Sequence, residues 1–405
     1  MLYTATLCLL AGGAVMVYSA SSAESLLDGN GDPSYYLKRY LVFGALGLVA
    51  LHLLSRHGLR VVRSLTPFLL LASFALTVAV MLPGVGVTVN GATRWIAAGS
   101  IQFQPSELLK VAIVLYAVSL LAARPATLQT LAGICKPLLI VVAIACALLL
   151  KQPDMGTAMV ICFSVGALLV AAGAKLRHLA VIAGTGFVLT LLMILIEPYR
   201  RERLTSFLDP WADASDTGFQ VVQSMVAIGS GGLFGAGLGE SVQKIFYLPE
   251  AHTDMILAIV GEELGVIGVV GVAALYGMIA YAGLRAAKLA TDRYSKLLAA
   301  GLTSLILCQA TINLFAVMGM APLTGVPLPF LSYGNSNMIV LLAAMGLLLN
   351  VASGRARGVA AATRGGRPVL DVVRGGGARD ADRDSRRRDR RSRGAGAGRR
   401  RRAAG

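Results

Sequence analysis

The run Leu248-Pro249-Glu250-Ala251-His252-Thr253-Asp254 packs two carboxylates, an imidazole and a hydroxyl into a few positions. It leads straight into an apolar stretch, so Asp254 falls where a membrane helix would begin. A carboxylate there complements the positive end of the helix dipole. With a groove beside it, the same group is a candidate general base. Glu262 and Glu263 follow ~12–14 Å deeper at ~1.5 Å per residue, and ionisable groups at such depth normally face a cavity or a partner. At ~100° per residue Glu262 lies about 80° round the helix from Asp254 and Glu263 about 180°, so Glu262 is expected to share the Asp254 cavity. Ala258, Gly261, Gly265 and Gly268 lie on the Asp254 side. That stripe permits close helix packing or leaves a groove beneath the carboxylate.

Further polar constellations occur elsewhere in the chain. Near Asn90, Gly91 and Gly99 break any span, Trp95 suits an interfacial belt, and the Arg94 guanidinium matches phosphate oxygens bidentately. Pro105 fits the first turn of the next helix with Glu107 at its positive end. Lys110 is one turn on, paired with Glu107 or open to a ligand. Lys151-Gln152-Pro153-Asp154 reads as a tight turn between two spans. Residues 322–337 hold three prolines and two glycines, which forbid continuous helix and are expected to place irregular polar backbone at the outer surface. Gln309 and Asn313, in the preceding span, are suited to satisfy freed backbone groups.

The elements that must position these residues are membrane helices. Of 405 residues, 56% are hydrophobic and 14% charged, and the apolar residues come in blocks long enough to cross ~30 Å of hydrocarbon. The fold class is all-α: a polytopic membrane protein of about ten transmembrane helices, expected near 2–20, 40–55, 65–83, 106–122, 137–152, 155–174, 179–197, 254–284, 296–319 and 336–352. Arg56, Arg60, Arg63, Arg124, Lys136, Lys175, Arg177, Arg285, Lys288, Arg293 and Lys296 gather in one set of short loops, which the positive-inside rule makes cytoplasmic. Both termini then lie inside. The first 19 residues lack a basic leader region, and with no secreted domain after them they read as a retained first helix.

The longest outer loop, about 198–253 between helices 7 and 8, carries Arg200, Arg201, Arg203 and Lys244. Its glycine-rich part, 224–238, suggests a re-entrant or interfacial segment, tolerated at membrane depth where it is buried in protein or lines a wet cavity. The five cysteines lie in or beside apolar spans and read as small apolar filler. The net charge of +16 is concentrated at the end: 17 Arg and 5 Asp from Arg355 onward give +12. Residues 1–353 therefore form the membrane domain, and 354–405 an Arg-rich tail expected to be disordered and drawn to anionic lipid. Nothing in the body supports nucleic-acid binding.

All the polar constellations fall on the outer side, which implies an outward-facing site for a substrate with a polar head and a lipid tail. At these residues the body, from about Met16 to Ala352, resembles the SEDS family (shape, elongation, division and sporulation), which includes FtsW, RodA and SpoVE. The resemblance rests on Asn90-Gly91-Ala92-Thr93-Arg94-Trp95, Gln104-Pro105-Ser106-Glu107, Lys151-Gln152-Pro153-Asp154-Met155-Gly156-Thr157, Phe207-Leu208-Asp209-Pro210-Trp211, the 248–254 run, Gly261-Glu262-Glu263-Leu264-Gly265 and Pro327-Leu328-Pro329-Phe330-Leu331-Ser332-Tyr333-Gly334. The wording sits nearer the FtsW branch than RodA. Tyr333-Gly334-Asn335-Ser336-Asn337 departs from the family's usual Tyr-Gly-Gly-Ser-Ser, and the tail has no assigned counterpart.

The resemblance implies a peptidoglycan glycosyltransferase that polymerises lipid II at the outer face of the bacterial cytoplasmic membrane, for septal wall synthesis in division. It implies Asp254 as the essential aspartate, with a class B penicillin-binding protein and other divisome proteins as partners. Candidate substrate-binding residues are Arg94, Trp95, Glu107, Lys110, Lys151, Asp154, Arg200, Arg203, Lys244, Glu250, His252, Glu262 and Ser332. Arg94, Arg200, Arg201, Arg203 and Lys244 are expected to steady the leaving pyrophosphate. A divalent cation, Mg or Mn, could accompany that pyrophosphate, although the sequence contains no dedicated cage for one. Two other functions stay open: a flippase for lipid II, favoured by the intramembrane carboxylates and broken segments, and a non-catalytic scaffold for the transpeptidase.

Overall fold

The computed structural model describes residues 1–365 apart from 28–30, 90, 100, 197, 213, 215–217 and 246. The chain divides into two units, Met1–Ala356 and Arg357–Gly405. Tail residues 366–405, on which the expectation of disorder mainly falls, lie outside the described residues.

Among the described residues ten helical stretches are long and apolar enough to cross a membrane. In hydrocarbon each backbone N–H and C=O must be satisfied within the protein, which leaves the helix as the solution for an apolar run. The first helix is α1 (Leu2–Leu27). The second and third spans, expected near 40–55 and 65–83, are Tyr35–Arg56 and Val61–Ala79 and belong to one helix, α2 (Tyr35–Ala79); helical hydrogen bonding runs on where a short loop was expected. After α3 (Pro105–Ala123), α4 (Leu131–Ile134) passes through a π-helical turn (Cys135–Leu139) into α5 (Ile140–Lys151). Then come α6 (Met155–Ala172), α7 (Leu176–Ile196), α8 (Pro198–Leu208), α9 (Phe219–Ser230), α10 (Ile256–Leu289), α11 (Arg293–Val317) and α12 (Asn335–Gly365). The ordinary spans start on familiar caps: Asp154 accepts from Thr157 N (3.1 Å) at α6, and Asp292 from Ser295 N (2.9 Å) at α11. The core sits where α11 packs against α3, α6 and α10. Phe68, Leu71, Phe163, Phe187 and Leu195 are exposed and suit a lipid-facing girdle. All five cysteines are free.

Three irregular segments gather at the end of the bundle that the charge bias assigns to the outside. The first is a small antiparallel sheet, β1 (Gly86–Val89), β2 (Ala92–Ala98) and β3 (Ile101–Phe103), in the order β1-β2-β3. Its signal was present in Val87-Thr88-Val89-Asn90-Gly91-Ala92-Thr93, where β-branched residues flank an Asn-Gly turn, and Gly91 takes the left-handed φ of 74° such a turn needs. The all-α frame thus carries a β cap.

The second is the glycine-rich segment after α9, which packs along the middle of α10. α10 is interrupted at Gly265 (φ 67°, ψ −165°), which strands backbone groups on either side. The incoming segment satisfies them. Ala236 N donates to Glu262 O (2.9 Å) and Gly237 N to Glu263 O (3.1 Å), while Val266 N and Ile267 N donate to Gly232 O (3.0 Å) and Leu233 O (3.3 Å). The two backbones lie so close that a Cβ on Gly231 would stand 2.0 Å from Gly261 O. Of the two uses expected for the small-residue stripe, the structure takes the first: Gly261 and Gly265 are packed shut against this segment.

The third is 318–334, and here the expectation of an outer-surface position is corrected. Val326, Leu328, Phe330 and Leu331 are buried, because hydroxyl and amide side chains cap the backbone that proline removes from helical bonding. Tyr40 Oη donates to Phe330 O (2.6 Å), Tyr276 Oη to Pro329 O, Gln309 Nε2 to Pro327 O (2.8 Å) and Asn313 Nδ2 to Val326 O (2.8 Å). The expected role of Gln309 and Asn313 is therefore the observed one. Ser332 Oγ accepts from Leu328 N (2.8 Å) and locks the turn from within.

Candidate active site

The 248–254 run is a turn wedged into the bundle, not the first turn of α10. Leu248 and Ala251 are buried and anchor it. Glu250 O accepts from Thr253 N (3.1 Å) and Met255 N (3.3 Å), and Glu250 itself adopts φ 57°, a conformation a non-glycine residue holds only where its surroundings over-determine it. Neighbouring elements pin the turn by its backbone. Tyr333 N donates to His252 O (3.0 Å), and Asn313 Nδ2 donates to Asp254 O (2.7 Å).

The Asp254 carboxylate emerges half-buried from this turn. Its Oδ1 lies 3.1 Å from Thr253 Oγ1, which is 2.8 Å from Glu250 Oε2 on the exposed side. Its Oδ2 faces exposed Gly325, where even a Cβ would come no nearer than 3.8 Å. One oxygen is thus held by the turn while the other lies beside the exposed Gly325, and a half-buried carboxylate so placed suits a general base.

His252 is buried beside it. Its Nδ1 lies 3.2 Å from Glu24 Oε2 of α1, and its ring packs against Tyr36 (4.3 Å between centroids) and Tyr333 (5.6 Å). Burial pushes the Tyr333 phenol above its ordinary pKa, and the Arg39 guanidinium draws it back. Glu24, Tyr36, Arg39 and Thr253 were missed as site residues by sequence reasoning. Tyr35-Tyr36 and Arg39 at the head of a span look like interfacial belt, and nothing local shows that α1 and α2 meet this turn. The start of α2 is set by Asp32, which accepts from Ser34 N (2.9 Å) and pairs with Lys38 Nζ (2.6 Å). Lys38, then Ser34, hold its carboxyl down at about 2.

Behind Asp254 lies a dry polar network. Lys110 Nζ pairs with Glu107 Oε2 (2.8 Å) and donates to Gln309 Oε1 (2.6 Å) and Asn337 Oδ1 (3.4 Å). Lys110 is 1% exposed and Glu107 2%, so both are enclosed rather than open to a ligand. Gln309 and Asn313 stand one turn apart on α11 and join this network to the Asp254 turn. Asp154 caps α6 and accepts from Ser106 Oγ (3.1 Å), and Gln104 N donates to Ser336 Oγ (2.9 Å). The unusual Asn337 is therefore a working member: Gln309 Nε2 also donates to its Oδ1 (3.1 Å).

Several expected ligand-binding residues are committed to the protein itself. Arg94 donates to Gln152 O (2.9 Å) and Pro153 O and clips the sheet to that turn. Trp95, half-buried on β2, pairs across from Val87. Ser332 holds its own loop. The expectation that Glu262 shares the Asp254 cavity is corrected, because Asp254 precedes the helix and no helical wheel relates the two. Glu262 instead accepts from Ser241 Oγ and Val242 N (3.0 Å). Lys244 is likewise no outer cation: it is buried, with Nζ on Glu263 Oε1 (2.9 Å), Ser19 Oγ (3.1 Å) and Gly239 O (2.6 Å). Lys151 and Arg201 are exposed, while the Arg200 and Arg203 side chains lie outside the described residues. Lys151 borders an open cleft of about 570 Å³ with Gln152, Pro153, Thr88 and Thr93. Among the described residues, no three His, Cys, Asp or Glu are grouped to hold a metal ion.

A family model described as "Cell cycle protein", that of FtsW, RodA and SpoVE, matches residues 1–357. The chain belongs to this family. Among its relatives, the "Probable peptidoglycan glycosyltransferase FtsW" of Thioalkalivibrio sulfidiphilus is 44% identical over 85% of this chain and 87% of its own. Stage V sporulation protein E of Bacillus subtilis is 40% identical over 85% and 94%. Solved structures agree with the fold. A chain from a study of how a peptidoglycan synthase complex coordinates polymerization and crosslinking superposes with TM-score 0.71 at 30% identity, covering 87% of this chain and 97% of that one. Rod shape determining protein RodA of Thermus thermophilus gives 0.63 at 29%, covering 87% and 96%. The family resemblance read from the motifs is thereby established over the membrane domain.

Proposed function

We propose that this family member polymerises lipid II into glycan strands at the outer face of the cytoplasmic membrane, for septal wall synthesis, with Asp254 as general base. The observation that carries the reading is the Asp254 carboxylate at the mouth of the bundle, one oxygen steadied by the turn and the other beside Gly325. The acceptor's GlcNAc 4-hydroxyl gives its proton to Asp254 as the oxygen attacks the anomeric carbon of the lipid-linked donor. The bond from that carbon to the pyrophosphate breaks, and its electron pair leaves with undecaprenyl pyrophosphate. With Arg94 and Lys244 committed elsewhere, exposed Lys151 and Arg201 are the cations better placed to meet the leaving charge. Mg or Mn would arrive on the substrate's pyrophosphate.

A class B penicillin-binding protein partner is supported by the similarity to the synthase complex, and other divisome proteins by the FtsW-named relatives. The flippase reading loses its main support, since Glu262 and Glu263 brace a loop. The test is purified protein in liposomes with labelled lipid II and its cognate transpeptidase. Glycan polymer that disappears in Asp254→Asn is the expected result; lipid translocation without polymer would sink the proposal.

A further inference from the structure

We infer that Thr253 and Glu250 form a proton exit from Asp254 to solvent. The inference rests on the polymerase reading above and assigns what happens to the proton after the glycosidic bond forms. Thr253 Oγ1 lies between two carboxylates, 2.8 Å from Glu250 Oε2 and 3.1 Å from Asp254 Oδ1. A hydroxyl carries one proton and cannot donate to both. The shorter contact takes it, so in the resting site Thr253 donates to Glu250. The contact with Asp254 Oδ1 becomes a hydrogen bond when Asp254 acquires a proton. Asp254 acquires one in every turnover.

The transfer balances without any further reactant. A half-turn of the protonated carboxyl about its Cβ–Cγ bond brings the O–H acquired beside Gly325 round to Thr253, and it gives its proton to Thr253 Oγ1 as the Thr253 O–H proton passes to Glu250 Oε2. Asp254 returns to the carboxylate, Thr253 keeps its hydroxyl, and the exposed Glu250 releases the proton to water. The backbone is built to hold this geometry. Both Thr253 N and Met255 N close on Glu250 O, and Glu250 holds a left-handed φ of 57° there. Among the described residues, His252 and Glu24 lie toward α1 and Tyr36, and Arg39 toward Tyr333.

The experiment uses the full chain in liposomes with labelled lipid II. Thr253→Val, which keeps the shape and removes the hydroxyl, should lower kcat about tenfold or more, with KM within about twofold. Thr253→Ser should recover most of that loss. Glu250→Gln, isosteric and at an exposed position, should lower kcat in the same way. Added imidazole or small carboxylate buffers should restore both variants in proportion to concentration but leave Asp254→Asn inactive. Thr253→Val or Glu250→Gln with wild-type kcat, or losses that no buffer recovers, would overturn the relay. If the wild-type chain makes no polymer, the polymerase reading itself fails, a result distinct from a polymerase indifferent to Thr253.

Discussion

At the scale of single residues, the site separates groups that can react from groups that hold. Asp254 is half-buried beside exposed Gly325, so Asp254→Asn should remove activity by at least ~10²-fold and leave the thermal midpoint in detergent unchanged. Glu107 and Lys110 are the opposite case. Two charges enclosed at 1–2% exposure depend on each other, and removing one leaves the other buried and uncompensated. Lys110→Met should destabilise the fold by about 3–5 kcal/mol, read as a fall in detergent unfolding midpoint. Lys110→Met with Glu107→Leu should regain most of it. A substrate-binding role for this pair would predict lost activity at unchanged stability.

At the scale of elements, three breaks in regular structure build the site, and each is repaired by a named partner. The break in α10 at Gly265 is closed by backbone bonds from the glycine-rich segment. A Cβ at Gly235 would stand 2.1 Å from Glu263 O. Gly235→Ala should therefore undock that segment: proteolysis within 231–245 should rise sharply while α3 and α11 stay protected. The 318–334 loop depends on side-chain hydroxyls in the same way. Tyr276→Phe removes the donor to buried Pro329 O and should destabilise by about 1–3 kcal/mol, measurable by the same unfolding assay; a neutral result would mean that another group reaches that carbonyl. Sequence periodicity made the spans legible, and the amides of Gln309 and Asn313 beside a proline-rich break foretold their role. It did not reveal that the 322–334 backbone is buried, because Tyr40 and Tyr276 lie hundreds or tens of residues away and look like ordinary belt or core tyrosines.

At the scale of the whole molecule, the long helices are a frame that brings α1, α2, α3, α10, α11 and the irregular loops to one end. The orientation read from the charge bias has a direct consequence. Single cysteines at exposed Glu240 and Thr291 should differ in intact cells: a membrane-impermeant maleimide should label Glu240→Cys and spare Thr291→Cys. The reverse pattern would place the Asp254 site in the cytoplasm, away from any outer-face wall synthesis.

By itself the sequence determined the membrane class, the number of spans and the family. These depend on local composition, hydrophobic run length and contiguous motifs, which are properties of neighbouring residues. The tertiary structure alone decided which polar groups are available. Arg94, Lys244 and Glu262 are committed to partners some twenty to sixty residues away in the chain, Ser332 is committed to its own loop, and Glu24, Tyr36, Arg39 and Thr253 join the site. The physical reason is that a buried charge or hydroxyl must find a partner, and that partner is set by how helices pack, which no single stretch of chain encodes.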